Sequence, residues 1–337
     1  MPTIADVARH AQVSPSTVSY VLSGKRSISE DTRERVQSSI RELGYHPHAG
    51  ARALASSRTS VIALVLPLRS DMYVPVLMQF AVSVVTAARA HGHDVLLLTN
   101  DEGPEGLRRV TDGAQVDALI VMDVELDDPR VPVLDELGLP AVLIGVPADP
   151  GRLTCIDLDF SATGRCCVEH LAELGHRETV LIGHPGPVYQ RGTGFAQRTI
   201  EGYREASLDR GLDSAVYPCG HSYDEVHAVL SRVFAEHPEV TGLIVHNEPA
   251  QGVLLDVLRR LGKRVPEDLS VVAICPEGTA EAASTPLSAV PIPASAIGQR
   301  AVEAVMGKLV EARAEDGSTL LTPQLTVRAS SAAVRRD

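Results

Sequence analysis

TIADVARHAQVSPSTVSYVL, residues 3–22, sets two short apolar rhythms on either side of a serine-proline step. In the first, Ile4, Val7, Ala8 and Ala11 fall at i, i+3, i+4 and i+7, one apolar stripe along a short helix with Asp6 and Arg9 off the stripe. Val13 closes the turn. Ser14 is placed to cap a second helix, and Pro15 occupies its first position, where a missing N–H costs nothing and φ is already helical. Val18, Val21 and Leu22 then face inward, and Ser16, Thr17, Ser19 and Tyr20 are left outside. Two short helices joined this tightly read as a helix-turn-helix, whose second helix enters a DNA major groove by its N-terminal end. The pattern points to a sequence-reading DNA binder.

A third helix is expected from Ser29 to Leu43, with Glu30 and Asp31 in its first turn, Val36, Ile40 and Leu43 as its buried stripe and Gly44 ending it. In YHPHAGARALASSRTS, residues 45–60, Pro47 stops any continuation and Ala49–Ser56 can form a short helix. So short a helix is below the roughly 12–15 residues that hold alone in water, and Gly50 weakens it further. Such a segment folds when DNA and a second copy pack against it.

At 337 residues the chain suits two or three domains, with 44% apolar residues but only 3% aromatics and no Trp, so its cores are built from Val, Leu, Ile and Ala. Residues 1–58 hold eight Lys/Arg against five Asp/Glu, a net of +3, which leaves −15 for the rest of a chain whose total is −12. A basic head on an acidic body suits a DNA reader whose body should not adhere to DNA. No apolar run reaches the roughly 18 residues of a membrane span, and no signal peptide is apparent, so a cytoplasmic protein without membrane partners is expected. Cys155, Cys166, Cys167, Cys219 and Cys275 lack CxxC spacing and read as buried reduced thiols, not as a metal site. RGTGF at 191–195 begins a GxG but has Gln197 where a third glycine is needed, and P-loop, GxSxG and HExxH motifs do not occur. The expectation is a protein that is not an enzyme and takes no cofactor and no metal.

From Val61 the chain alternates β-rich runs with helical stretches: VIALVL, 73–91, DVLLLT, 105–114, DALIVM, 131–137 and AVLIG, then CIDLD, 161–174, TVLIG, 197–210, AVYP, 222–237, GLIVH, 248–261 and SVVAI. This alternation means parallel sheets with helices on both faces. The fold class expected is therefore α/β, an all-α helix-turn-helix head joined to two parallel-sheet lobes with a ligand cleft near their strand ends.

Residues 3–56, TIADVARHAQVSPSTVSYVLSGKRSISEDTRERVQSSIRELGYHPHAGARALAS, resemble the head of the lac repressor (LacI/GalR) family, and the resemblance runs through the rest of the chain with a body of the periplasmic-binding-protein type. It implies a head at 1–46, a hinge at 47–59 and a body at 60–337, with lobe 1 at 60–158 and 288–317 and lobe 2 at 159–287 and 318–330. LSAVPI and helix 294–313 are thus assigned to lobe 1, and LLTPQLTVRA to lobe 2. By the same resemblance Pro15, Ser16 and Tyr20 read bases, while Thr17, Ser19, Ser23, Ser29 and Thr32 meet phosphates. Leu54, with Ala51 beside it, matches the hinge leucine that family dimers wedge into a minor-groove base step, where unstacking is offset by added contact. Many relatives carry Arg in place of Tyr20 and Asn in place of His48, so operator preference does not transfer.

For the effector cleft, the residues following strand ends are Arg69, Asp71, Tyr73, Phe160, Arg198, Asn247 and Cys275, with Gly145, Asp159 and His184 among them. Sugar-binding relatives place aspartates where this chain has Gly145 and Cys275, and Arg198 stands four residues before Gly202, with Thr199 in the usual arginine slot. Three readings stay open: a sugar effector, a phosphorylated or carboxylate effector held by Arg69, Arg198, His184 and His246, or no small effector. The resemblance favours a repressor on a pseudo-palindromic operator, as a homodimer because only ASSAAVRRD follows Arg328. An activator or dual regulator has the same sequence features.

Overall fold

The computed structural model describes residues 2–23, 26–45, 58–69, 71–311 and 317–334. The head contains α1 (Ile4–His10), α2 (Pro15–Ser23) and α3 (Glu30–Leu43). Thr3 and Asp6 form a reciprocal capping box at the start of α1, and Gly44 ends α3 in the left-handed conformation at φ 58°. Val7, Val18 and Val36, one from each helix, are fully buried together with Ala8, Ala11 and Tyr45. Leu22 was expected inside and is exposed, because α2 packs on α1 and α3 through Val18 and Val21 and has no partner on its Leu22 side among the described residues.

Lobe 1 is a six-stranded parallel sheet in the order β11-β5-β4-β3-β1-β2, formed by β1 (Val61–Val65), β2 (Asp94–Leu98), β3 (Ala118–Val121), β4 (Ala141–Ile144), β5 (Thr154–Leu158) and β11 (Ser318–Leu321). Strand alternation divides its core: Ile62 and Leu64 face one layer with Phe80 and Val84, whereas Ala63 and Val65 face the other with Leu107 and Val110. The first layer is covered by α4 (Val74–Ala90) and by α13 (Ala294–Glu311), the second by α5 (Gly103–Asp112) and α6 (Arg130–Leu137).

Lobe 2 is a five-stranded parallel sheet in the order β10-β9-β8-β6-β7, from β6 (Glu178–Gly183), β7 (Asp213–Pro218), β8 (Gly242–Val245), β9 (Ser270–Cys275) and β10 (Ser288–Pro291). Its helices are α7 (Phe160–Glu173), α8 (Gly186–Gln190), α9 (Gly194–Asp209), α10 (Tyr223–Glu236), α11 (Glu248–Arg260) and α12 (Glu277–Ala282).

Two assignments are corrected. Residues 288–291 belong to lobe 2, because Ser288 stands opposite Val272 on β9, and residues 318–321 belong to lobe 1, because Ser318 stands opposite Cys155 on β5. The expected assignment was the reverse for these two strands, while α13 packs on lobe 1 and residues 326–330 on lobe 2. A run of four β-formers carries no mark of which of two parallel sheets it joins, so pairing decides. After β11 the chain returns to lobe 2 as a docked strap. Thr326 bridges Ala289, the Ser330 hydroxyl donates to the Val271 carbonyl at 2.6 Å, and Val334 N–H donates to the Leu174 carbonyl at 2.9 Å.

Helices α7 and α9 approach so closely that a methyl group at Gly202 would overlap the Ser161 carbonyl, and one at Gly164 the Thr199 carbonyl. Gly202→Ala is therefore expected to cost about 1–3 kcal/mol, the range for overpacking. Urea unfolding should show a lowered midpoint at unchanged slope, and a wild-type midpoint would contradict this packing.

Candidate DNA-reading face and interlobe cavity

On the head, Pro15, Ser16 and Ser29 are exposed, and Thr17, Ser19, Tyr20 and Thr32 are half-buried. Ser14 Oγ accepts the Thr17 N–H at 3.1 Å, closing the start of α2, and lies 2.9 Å from Thr17 Oγ1. Ser29 Oγ donates to Thr32 Oγ1 at 2.9 Å, so two of the expected phosphate-contacting hydroxyls meet at the start of α3, where the helix dipole favours an anion. The Arg26 guanidinium lies 5.2 Å from the Tyr20 ring centroid and brings a cation beside the tyrosine expected to read bases. Ser23 is the last residue of α2, and the hinge residues Ala51 and Leu54 lie outside the described residues.

Between the lobes is a cavity of about 110 Å3 lined from both sides. It forms because the strand ends of each lobe point at the other: Asp71 and Tyr73 follow β1, Asp123 follows β3, Gly145 follows β4, Phe160 follows β5, His184 follows β6 and His246 follows β8. Tyr73 occupies the cap position of α4, which carries Val76, Leu77 and Phe80 into the same space. The two lobes are clamped beside the cavity by backbone pairing. Leu126 N–H donates to the Gly192 carbonyl at 2.8 Å and Gly194 N–H to the Val124 carbonyl at 2.9 Å, around an antiparallel bridge of Glu125 with Thr193.

Aromatic rings dominate the lobe 2 wall. His184 and His246 meet edge to face at 4.5 Å, Phe160 stacks on His246 at 5.7 Å, and Phe195 lies 5.1 Å from His184. Burial pushes His184 down to about 3 and holds His246 well below the ordinary histidine value, so both rings are neutral at pH 7. Across the cavity Arg191 Nη1 of lobe 2 donates to Asp71 Oδ2 of lobe 1 at 2.5 Å. Six polar atoms of the lining have no partner among the described residues: Asp71 Oδ1, Arg191 Nε, His184 Nε2, His246 Nδ1 and both ring nitrogens of His221. Buried polar groups are nearly always hydrogen-bonded, so six unmatched atoms on the residues around one cavity single it out in the fold.

Of the expected effector residues, the structure brings Asp71, Tyr73 and Phe160 together in the cavity lining, with Gly145 and His184. Arg69 lies beside it, ion-paired with Asp123, with Asp101 at 2.9 Å and with Glu125 at 3.8 Å. Arg198 gives Nη2 to the Val146 and Pro147 carbonyls at 3.3 and 3.1 Å, tying α9 to the loop after β4. Asn247 is fully buried, donating to the Gly183 and Cys219 carbonyls at 3.0 and 2.8 Å and accepting the Ala250 N–H at 3.2 Å, a structural cap for α11. Cys275 is fully buried in the lobe 2 core, and Asp159 caps α7. Arg69, Arg198, Asn247 and Cys275 therefore do not line the cavity. Gly145 leaves no room for the carboxylate expected there: its φ is 128°, and a Cβ would stand 2.7 Å from Val124 Cβ.

Arg191, Phe195, His221 and Glu248 are lining residues that sequence reading passed over. His221 and Glu248 lie just past β7 and β8, where the strand-end rule points; Arg191 and Phe195 flank a loop read only as a failed GxG. Arg69, Arg191 and Arg198 are each engaged and His184 and His246 are neutral, so these groups offer no surplus positive charge to an anion. Burial also raises the carboxyls of Asp157 and Glu248 to about 7.

Comparison with known proteins gives a consistent result. Residues 3–48 match the family described as bacterial regulatory proteins, lacI family, and residues 168–331 match the periplasmic binding protein-like domain. The HTH-type transcriptional regulator CelR of Thermobifida fusca is 31% identical over 340 residues, covering 98% of this chain and 98% of CelR. The HTH-type transcriptional regulator GntR of Pseudomonas aeruginosa is 29% identical, covering 98% of this chain and 96% of that protein. Among solved structures, a CelR–cellobiose complex aligns with TM-score 0.71 at 29% identity, over 98% of this chain and 100% of that one. The lac repressor dimer bound to operator and the anti-inducer ONPF aligns with TM-score 0.84 at 23% identity, over 98% of this chain and 99% of that one, a likeness of fold.

The raised carboxyls make a prediction about pH. A buried acid whose folded pKa lies above its unfolded value near 4 binds more protons when folded, so stability falls as pH rises from about 4 to about 7 and is level above that, at about 1.4 kcal/mol per unit for each group. Asp157→Asn, which removes one of the two, should flatten this fall and raise the melting temperature at pH 8 relative to wild type. Parallel pH–stability curves for the two proteins would contradict the burial assigned to Asp157.

Proposed function

The chain belongs to the lacI family of bacterial regulatory proteins, and from that membership we propose a dimeric cytoplasmic repressor whose hold on a pseudo-palindromic operator is set by an uncharged, hydroxyl-bearing effector in the interlobe cavity. It is a DNA-binding transcriptional regulator, not an enzyme. The observation that carries the effector reading is a cavity lined by both lobes, with an aromatic wall and six unpartnered polar atoms on the residues around it. Aromatic faces with sparse donors and acceptors suit a sugar ring, and the neutral charge balance disfavours the phosphorylated or carboxylate alternative. The cellobiose bound by CelR makes cellobiose the first probe to try.

The dimer reading rests on α4, where Val74, Val82 and Val85 are exposed along one side of the helix with half-buried Met78 between them. An apolar stripe of this kind on lobe 1 fits a second copy better than water. The same lobe receives the hinge. Asp117 accepts the Thr59 and Ser60 N–H groups at 2.8 and 2.7 Å, and Arg58 donates to the Leu309 carbonyl at 3.2 Å. A shift of lobe 1 on effector binding thereby moves the points from which the two hinge segments start. Coupling follows provided effector binds the closed and open arrangements with different affinity. Pro15, Ser16 and Tyr20 are assigned to base reading, Thr17, Ser19, Ser23, Ser29 and Thr32 to phosphates, and Leu54 with Ala51 to the minor groove.

The test begins with operator selection from random DNA at fixed salt, since phosphate contacts make affinity steeply salt-dependent. Tyr20→Ala should change the preferred bases, each base pair being worth about 1–3 kcal/mol. Leu54→Ala should weaken selected operator far more than random DNA. Cellobiose should shift operator affinity in wild type and have no effect in Arg191→Ala. Equal loss on both DNAs counts against the wedge, and an unmoved operator affinity across a saccharide panel counts against an effector in this cavity.

A further inference from the structure

Four carboxyls line the interlobe cavity, and they are of two kinds. Asp71 is held by Arg191 and Asp123 by Arg69. Asp157 and Glu248 have no ion pair among the described residues, and each is only 6% exposed. One oxygen of Asp157 accepts the Leu158 N–H at 2.9 Å, and Glu248 accepts from nothing but its own N–H. The oxygens left over are not sealed in, so these two carboxyls keep open surface on residues of the lining.

They also come from opposite lobes. Asp157 lies on β5 of lobe 1, beside Gly145, whose N–H donates to the Ile156 carbonyl at 3.3 Å. Glu248 is the first residue of α11 in lobe 2 and acts on the Cys275 thiol of β9, which burial first and Glu248 second push up to about 12. A carboxyl thus stands next to each of the two positions, Gly145 and Cys275, that carry none in this chain. An acceptor for which the protein supplies no donor is matched by a ligand that brings one. A hydroxyl does so, and it bonds an ionised carboxylate roughly twice as strongly as a neutral group.

Resting on the effector reading above, we propose that Asp157 and Glu248 are the pair that receives the effector's hydroxyl groups, one from each lobe, and that the effector displaces protons from both as it binds. Burial holds each carboxyl at about 7, so at that pH each is protonated half the time. Hydrogen bonds donated to the ionised form favour it, so a bound effector expels about one proton in all at pH 7. Affinity therefore falls as the pH drops, by about tenfold per carboxyl between pH 8 and pH 6. Arg198 favours ionised Asp157 and Asp159 opposes it, and Cys275 keeps its proton throughout this range. His184, His221, His246, Asp71, Asp123 and Arg191 share the cavity, and burial keeps His184 and His246 neutral.

The full-length protein, without DNA, is titrated calorimetrically with glycerol, D-glucose and cellobiose at pH 6, 7 and 8. Repeating the pH 7 titration in PIPES and in imidazole, which differ in ionisation heat, counts the protons released. A probe that binds should release about one proton per site at pH 7 and bind about ten- to a hundredfold more weakly at pH 6 than at pH 8. Asp157→Asn and Glu248→Gln keep the side-chain shape and remove the titration, so each should halve the release, and the double variant should bind equally at pH 6 and 8. If one single variant unfolds, the other carries the same test. Binding without proton release, or release that survives in both variants as from His221, overturns the proposal and leaves the effector reading standing. Absence of binding by all three probes overturns the effector reading, and this proposal with it.

Discussion

Parallel strands bring every strand C-terminus to one end of a sheet, and in this protein those ends of the two sheets face each other. Nearly everything of functional interest follows from that constraint. The loops after β1, β3, β5, β6 and β8 are delivered to a common space without being near one another in sequence, and the chain has to pass between the lobes beside it. The crossings and the backbone clamp at Leu126 and Gly194 hold the two lobes together beside that space. Thr59 and Ser60 join lobe 1 at the N-terminal side of the same sheet, the end opposite the cavity.

Charge in the body is used for holding positions more than for attracting ligands. Arg69, Arg191 and Arg198 are half-buried and bound to carboxylates or carbonyls of segments distant in sequence, and buried Arg130 holds its own loop through Asp128 and the Asp123 carbonyl. The interlobe pair Asp71–Arg191 is the instructive case, since each partner keeps an atom unmatched. A pair that is half-satisfied when closed has something to gain from a third party that supplies the missing bonds.

Local periodicity explains what could be read in advance and what could not. The head was legible because Val7, Val18 and Val36 sit at helical spacing between unmistakable stops such as Pro15 and Gly44, and a three-helix core has few ways to close. The alternation of the body likewise declared two parallel sheets. The exchange of β10 and β11 between lobes was not readable, because SAVP and STLL differ in nothing that a sheet selects. At the site, Asp71, Tyr73 and Phe160 obeyed the strand-end rule, whereas Asn247 obeyed it and yet turned inward to cap α11. Position after a strand fixes where a residue lies; its hydrogen bonds decide which way it looks. Tyr45 closes the head core although it follows Gly44, beyond the end of the helical pattern.

The docked strap at 326–334 has a consequence for how the molecule is made. Lobe 2 lacks its seal until Ser330 reaches Val271, and lobe 1 lacks β11 until shortly before that, so both lobes are completed late in synthesis and nearly together. The head, complete by Tyr45, is released far earlier and can fold by itself in the usual N-to-C order. For much of its synthesis the nascent chain therefore carries a finished DNA-reading module on an unfinished body.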